Sequence, residues 1–160
     1  MKAATVSELK DELRHLDNKE LLELCMRLAR FKKENKELLT YLIFEAHDEQ
    51  AYVESVKTFI NQQFAEIPKG NSFYLVKKSL RKILRVTNKY IRYTGSKTIE
   101  IQLLLHYLLK LKESGIPISK SVVLINLYQS QLKKIKNLLP GLHEDLQYDY
   151  AQEAERLGDF

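Results

Sequence analysis

IEIQLLLHYLLKL, residues 99–111, decides the fold. Its apolar residues Ile101, Leu103, Leu104, Leu105, Tyr107, Leu108 and Leu109 point to nearly every side of a helix, interrupted by Gln102, His106 and Lys110. A helix that is apolar all round has no face to give to water, so it belongs in the middle of a core with other helices around it.

Outward from this stretch, helix boundaries are easy to read. Upstream, Asn71 or Ser72 caps a long segment that runs to about Tyr93 and closes at Thr94 and Gly95, a residue suited to a left-handed C-terminal position, after which Ser96 restarts the chain. Downstream, Gly115 and Pro117 break the helix and Ser119 opens another. Leu124, Ile125, Leu127, Tyr128, Leu132, Ile135 and Leu138 then form one stripe up to Pro140 and Gly141, and a last helix runs from about Leu142 to Leu157. Near the start, Thr5 with Glu8 and Asp17 with Glu20 have the capping-box spacing, each before a set of apolar residues. Helical spacing recurs from Asn35 to Ala46. Asp48 opens a further run through Val53, Val56, Phe59, Ile60 and Phe64, ended by Pro68 and Gly70.

The expected fold is all-α, with about seven helices in a single domain over residues 1–160. A chain of 160 residues buries roughly 70% of the surface it exposes when unfolded and needs no staple. Five glycines and three prolines supply too few turns for an all-β architecture. Short linkers make successive helices antiparallel. That allows a short right-handed stack of antiparallel helical hairpins, which is slightly preferred, or a closed bundle around the 99–113 helix.

Charge is the other informative feature. Residues 1–66 hold 10 basic and 13 acidic residues, residues 67–143 hold 15 and 2, and residues 144–160 hold 1 and 6. The net charge of +5 therefore conceals a basic middle between acidic flanks, and no acidic residue lies between Glu66 and Glu100. On a wheel at 100° per residue, Lys77, Arg81, Arg92, Arg85, Lys78, Lys89 and Lys82 fall within an arc of about 140°, with Tyr74 inside it. Like charges at helical spacing repel, and a solubilising face normally mixes signs. The strip therefore reads as an anion-binding surface. Lys and Arg gain from counterion release on phosphates, and Tyr74 is available to stack or hydrogen-bond. The competing arrangement is a protein-interaction module in which Glu144, Asp145, Asp149, Glu153 and Glu155 of the C-terminal helix neutralise the strip from within.

No catalytic or metal-binding pattern stands out. His15, His47, His106 and His143 lie apart, and Glu12 with His15 is a single Glu-x-x-His of a kind that di-iron bundles use twice. His106 reads as a hydrogen-bonded core residue and Cys25, the one cysteine, as a buried member of a helical stripe. Phosphate-cradling and nucleophile-elbow motifs are missing. The function expected is non-enzymatic binding or scaffolding, with no cofactor and no metal. The partner is a protein or a nucleic acid, not a membrane, and the setting is the cytoplasm, since MKAATVSELK lacks the apolar stretch of a secretory signal.

The opening TVSELKDELRHLDNKELLELCMRLARFKKENKELL, the basic helix and LLLHYLLKLKESGI together resemble a family of small all-helical bacterial proteins known only as a domain of unknown function, over most of residues 5–116. This resemblance implies an all-helical fold and no activity. TVSELKDELR also resembles the first helix of the SAP DNA-binding motif, although that motif's glycine-containing turn is replaced by HLDNKELLEL.

Overall fold

The computed structural model describes residues 2–67 and 72–158, and among them every regular element is helical. The described residues form eight α-helices where about seven were expected, because each of the eight stretches delimited above holds one. The ends of the expected helix at Pro68 and Gly70, and a cap at Asn71, lie outside the described residues. The chain falls into two compact units, Met1–Phe44 and Glu45–Phe160.

The first unit contains α1 (Val6–Leu13), α2 (Asn18–Phe31) and α3 (Lys33–Thr40). Both capping boxes form. The Thr5 amide donates to Glu8 Oε2 at 2.7 Å and the Glu8 amide to Thr5 Oγ1 at 3.3 Å. The Asp17 amide donates to Glu20 Oε2 at 2.9 Å and the Glu20 amide to Asp17 Oδ1 at 2.8 Å. Extended backbone at Lys32 separates α2 from α3. The two helices pack on each other, and Asn35 Nδ2 donates to the Leu28 carbonyl at 2.8 Å. The expected burial of Cys25 is not found: it is exposed, because α2 buries none of its residues. After α3 the backbone passes into a π-turn, Tyr41–Glu45.

The second unit contains α4 (Glu49–Ala65), α5 (Phe73–Thr94), α6 (Lys97–Glu113), α7 (Val122–Leu138) and α8 (Glu144–Leu157). The stretch that opened the sequence analysis is the centre of the unit: α6 packs against α4, α5, α7 and α8. Ile101, Leu103, Leu104, Tyr107, Leu108 and Leu111 have no exposed surface.

Three tyrosine hydroxyls tie helices to one another across this core. Tyr107 donates to the Leu80 carbonyl of α5 at 3.1 Å, Tyr52 to the Tyr90 carbonyl at 3.1 Å, and Tyr128 to the Leu157 carbonyl at the end of α8 at 3.1 Å. Lys112 Nζ also reaches that last turn, at 2.6 Å from the Leu157 carbonyl and 3.3 Å from that of Arg156.

Among the described residues, one buried side-chain polar atom is unsatisfied. Thr87 of α5 is fully buried and its hydroxyl has no hydrogen-bond partner. A buried hydroxyl without a partner costs about 1–3 kcal/mol, and a methyl group in its place has nearly the same shape. Thr87→Val is therefore expected to stabilise the protein by about 1 kcal/mol, which raises the thermal midpoint by roughly 2–4 °C. A thermal melt followed by circular dichroism checks the sign.

Candidate anion-binding face

The strip is built on α5, whose 22 residues make it the longest helix described. Its orientation follows from the burial of Val76, Leu80, Ile83, Thr87 and Ile91 on one side. Gly95 closes it with φ 63°. Thr94 Oγ1 donates to the Ile91 carbonyl at 2.8 Å and accepts from the Ser96 amide at 3.1 Å, which turns the chain into α6. With that side fixed on the core, the opposite arc faces outward.

Lys78, Arg81, Lys82, Arg85 and Arg92 are exposed, Lys77 and Lys89 are partly covered, and Tyr74 is 70% exposed. The two partly covered lysines lie over rings, Lys77 Nζ 5.6 Å from the centre of Phe73 and Lys89 Nζ 5.0 Å from that of Tyr90. Among the described residues, none of Lys77, Lys78, Arg81, Lys82, Arg85 and Arg92 is paired with a carboxylate. The acidic C-terminal helix packs chiefly on α6 and α7. Its Glu144, Asp145, Asp149, Glu153 and Glu155 make no ion pair with the strip among the described residues.

The eight residues read from the sequence do not act as one set. Arg81, Arg85, Lys89 and Arg92 line a cleft of about 840 Å³ along α5, whereas Lys77, Lys78, Lys82 and Tyr74 lie outside its lining. Three cleft residues were missed. Lys134 of α7 adds a cation, Asn88 adds an amide, and Glu100 of α6 is the one carboxylate in the lining. Lys134 Nζ stands 2.5 Å from Glu100 Oε1 and 3.4 Å from Asn88 Oδ1. The cleft's carboxylate is thus already engaged, and the α5 guanidinium groups keep their charge for a ligand. Lys134 had a partial signal in the basic count of residues 67–143. Its position beside α5 depends on tertiary packing that the spacing along one helix does not encode.

A larger groove of about 990 Å³ lies elsewhere in the same unit, between α4, α6 and α8. Val53, Leu105 and Leu109 give it an apolar lining, and Gln102 Nε2 donates to the Tyr150 hydroxyl at 2.6 Å. His106 is half-buried there, with its Nε2 2.8 Å from Asn61 Oδ1: the expected hydrogen bond forms, but the ring lines the groove and is not part of the core. Burial lowers its pKa, with Lys57 and Lys110 adding to the effect against the opposing pull of Glu54 and Glu113.

The unfolded chain returns this imidazole to its ordinary value of 6.5, so as the pH falls the unfolded chain takes up the proton first. The stability tied to His106 is complete above that value and is lost as the pH drops through it. His106→Gln is expected to flatten the fall in stability measured by urea titration between about pH 7.5 and 5.5.

No protein-family model, curated protein or solved structure matches the chain. The resemblances to the small all-helical bacterial family and to the SAP motif therefore gain no support. No helix among the described residues is long and apolar enough to cross a membrane.

Proposed function

We propose that this chain is a non-enzymatic binding protein whose α5 face takes a phosphate-bearing polyanion, with nucleic acid as the ligand class. The observation that carries this reading is the cationic row on α5, six of whose members have no carboxylate partner among the described residues, while the acidic α8 packs on other helices. A row of like charges costs a few tenths of a kcal/mol for each neighbouring pair. A phosphate backbone relieves that repulsion, and the counterions it releases drive binding. Tyr74, exposed inside the arc, is placed to stack on an unpaired base or donate to a phosphate. The cleft of Arg81, Arg85, Arg92 and Lys134 offers planar guanidinium forks suited to bidentate phosphate contacts.

The test is the salt dependence of binding to a labelled duplex and to the corresponding single strand, followed by fluorescence anisotropy. Each neutralised phosphate contributes about −0.9 to the log–log slope on duplex and about −0.7 on a single strand. Changing Lys77, Arg81 and Arg85 together to glutamine is expected to flatten the duplex slope by about 3. An unchanged slope refutes the strip as the contact surface.

A further inference from the structure

The unit Met1–Phe44 has almost no interior. No residue between 2 and 40 is buried, although α2 alone carries Leu24, Leu28 and Phe31 at 39%, 59% and 75% exposure. Twelve large apolar residues of this unit are exposed, from Val6 to Phe44. Exposed apolar side chains of this kind are what an association surface contributes, about 800 Å² from each partner in a standard interface. A segment of this size without a core of its own usually relies on a disulfide, a metal or association. The chain has one cysteine, and no cluster of three His, Cys, Asp or Glu side chains is gathered among the described residues.

The pattern on α2 identifies the occupant. Leu21, Leu24, Leu28 and Phe31 are spaced by three, four and three residues, the heptad seam of a helix that packs lengthwise on another helix. The charges along α2 are divided by position. Its first half carries Glu20 and Glu23 beside Lys19, and its second half carries Arg27 and Arg30 with no acidic residue. Two copies laid parallel would set like on like. Laid antiparallel about a two-fold axis, the acidic half of one meets the basic half of the other, and Leu24 packs on Leu28 of the second copy while Leu21 packs on Phe31. A two-fold contact uses the same patch on both copies and must be complementary to itself, which this charge division provides.

We infer that the protein forms a homodimer through the N-terminal unit, with the α2 seams of two copies packed antiparallel. The inference is independent of the ligand read for α5. Sedimentation velocity of the full chain at micromolar concentration is expected to give twice 18.8 kDa. Leu24→Glu with Leu28→Glu buries charge in the seam and is expected to weaken association by about a hundredfold or more.

A second variant leaves the apolar seam intact. Arg27→Glu with Arg30→Glu makes both halves of α2 acidic and is expected to weaken association as well, with the loss partly recovered at high salt. A thermal melt of each variant shows whether the second unit stays folded. Wild-type chain that remains at 18.8 kDa up to about 100 μM overturns the inference, since a standard interface of this size holds at μM or tighter. So does a dimer unaffected by either pair of substitutions.

Discussion

Tyr107→Ala is expected to lower the unfolding free energy by about 4 kcal/mol, in the range measured for removing a large buried ring. The residue has no exposed surface, its ring lies 5.5 Å from that of Phe64, and its hydroxyl is hydrogen-bonded to the Leu80 carbonyl. It therefore fills volume between α4 and α6 and also fixes α6 against α5. Neighbouring helices close only partly around such a gap, because α6 is held against α4, α5, α7 and α8. Tyr107→Phe separates the two contributions. It keeps the ring, loses one hydrogen bond and should cost only about 1 kcal/mol. Against a total stability of about 5–15 kcal/mol, the alanine variant loses a third or more. A urea titration checks both, with an unchanged m-value as the sign that the unfolded state is not altered.

The second large effect falls on the ligand and not on the fold. Arg81→Glu with Arg85→Glu converts two neighbours in the cleft from attraction to repulsion. Affinity for a labelled oligonucleotide at about 50 mM salt is expected to drop by a hundredfold or more, because each change removes a phosphate contact and sets a negative charge against the backbone. Both side chains are exposed, so each substitution should leave stability within about 0.5 kcal/mol. Breaking a row of like charges works in the same direction as stability. Loss of binding together with an unchanged melting curve separates a contact role from a structural one. Retained affinity at the same salt concentration contradicts the proposed face.

Much of the architecture was legible because its signals are local. Thr5 with Glu8 and Asp17 with Glu20 place two helix starts within one turn of the residues concerned, and both boxes form as read. Gly95 and Ser96 place the junction of α5 and α6 in the same way. The all-round apolar character of residues 99–111 translates directly into the central position of α6. Ser119 was read as the start of the next helix, but a 3₁₀ turn at Ile118–Lys120 comes first and α7 begins at Val122. Such turns depend on how Gly115 and Pro117 lead the chain back, which short spacing rules do not resolve.

Apolar periodicity misled for Cys25 and its neighbours. An amphipathic stripe shows that a face prefers to be covered, without saying what covers it. In α2 the stripe was read as core, and the structure leaves it largely exposed. The basic arc was readable for the converse reason: a wheel gives the relative directions of side chains on one helix, and Arg81, Arg85 and Arg92 line one cleft. Lys134 and Glu100 come from other helices, and their pairing beside Asn88 is set by packing distances that one helix's periodicity does not contain.

The two side chains that reach the last turn of α8 have a consequence for its motions. Helix ends ordinarily fray, and their amide protons exchange with solvent at little cost in free energy. Here Tyr128 and Lys112 hold the Leu157 carbonyl from α7 and α6. Opening that turn requires releasing the buried Tyr128 hydroxyl together with the exposed Lys112 ammonium. Deuterium uptake at the end of α8 should accordingly be slow and keep pace with that of α6.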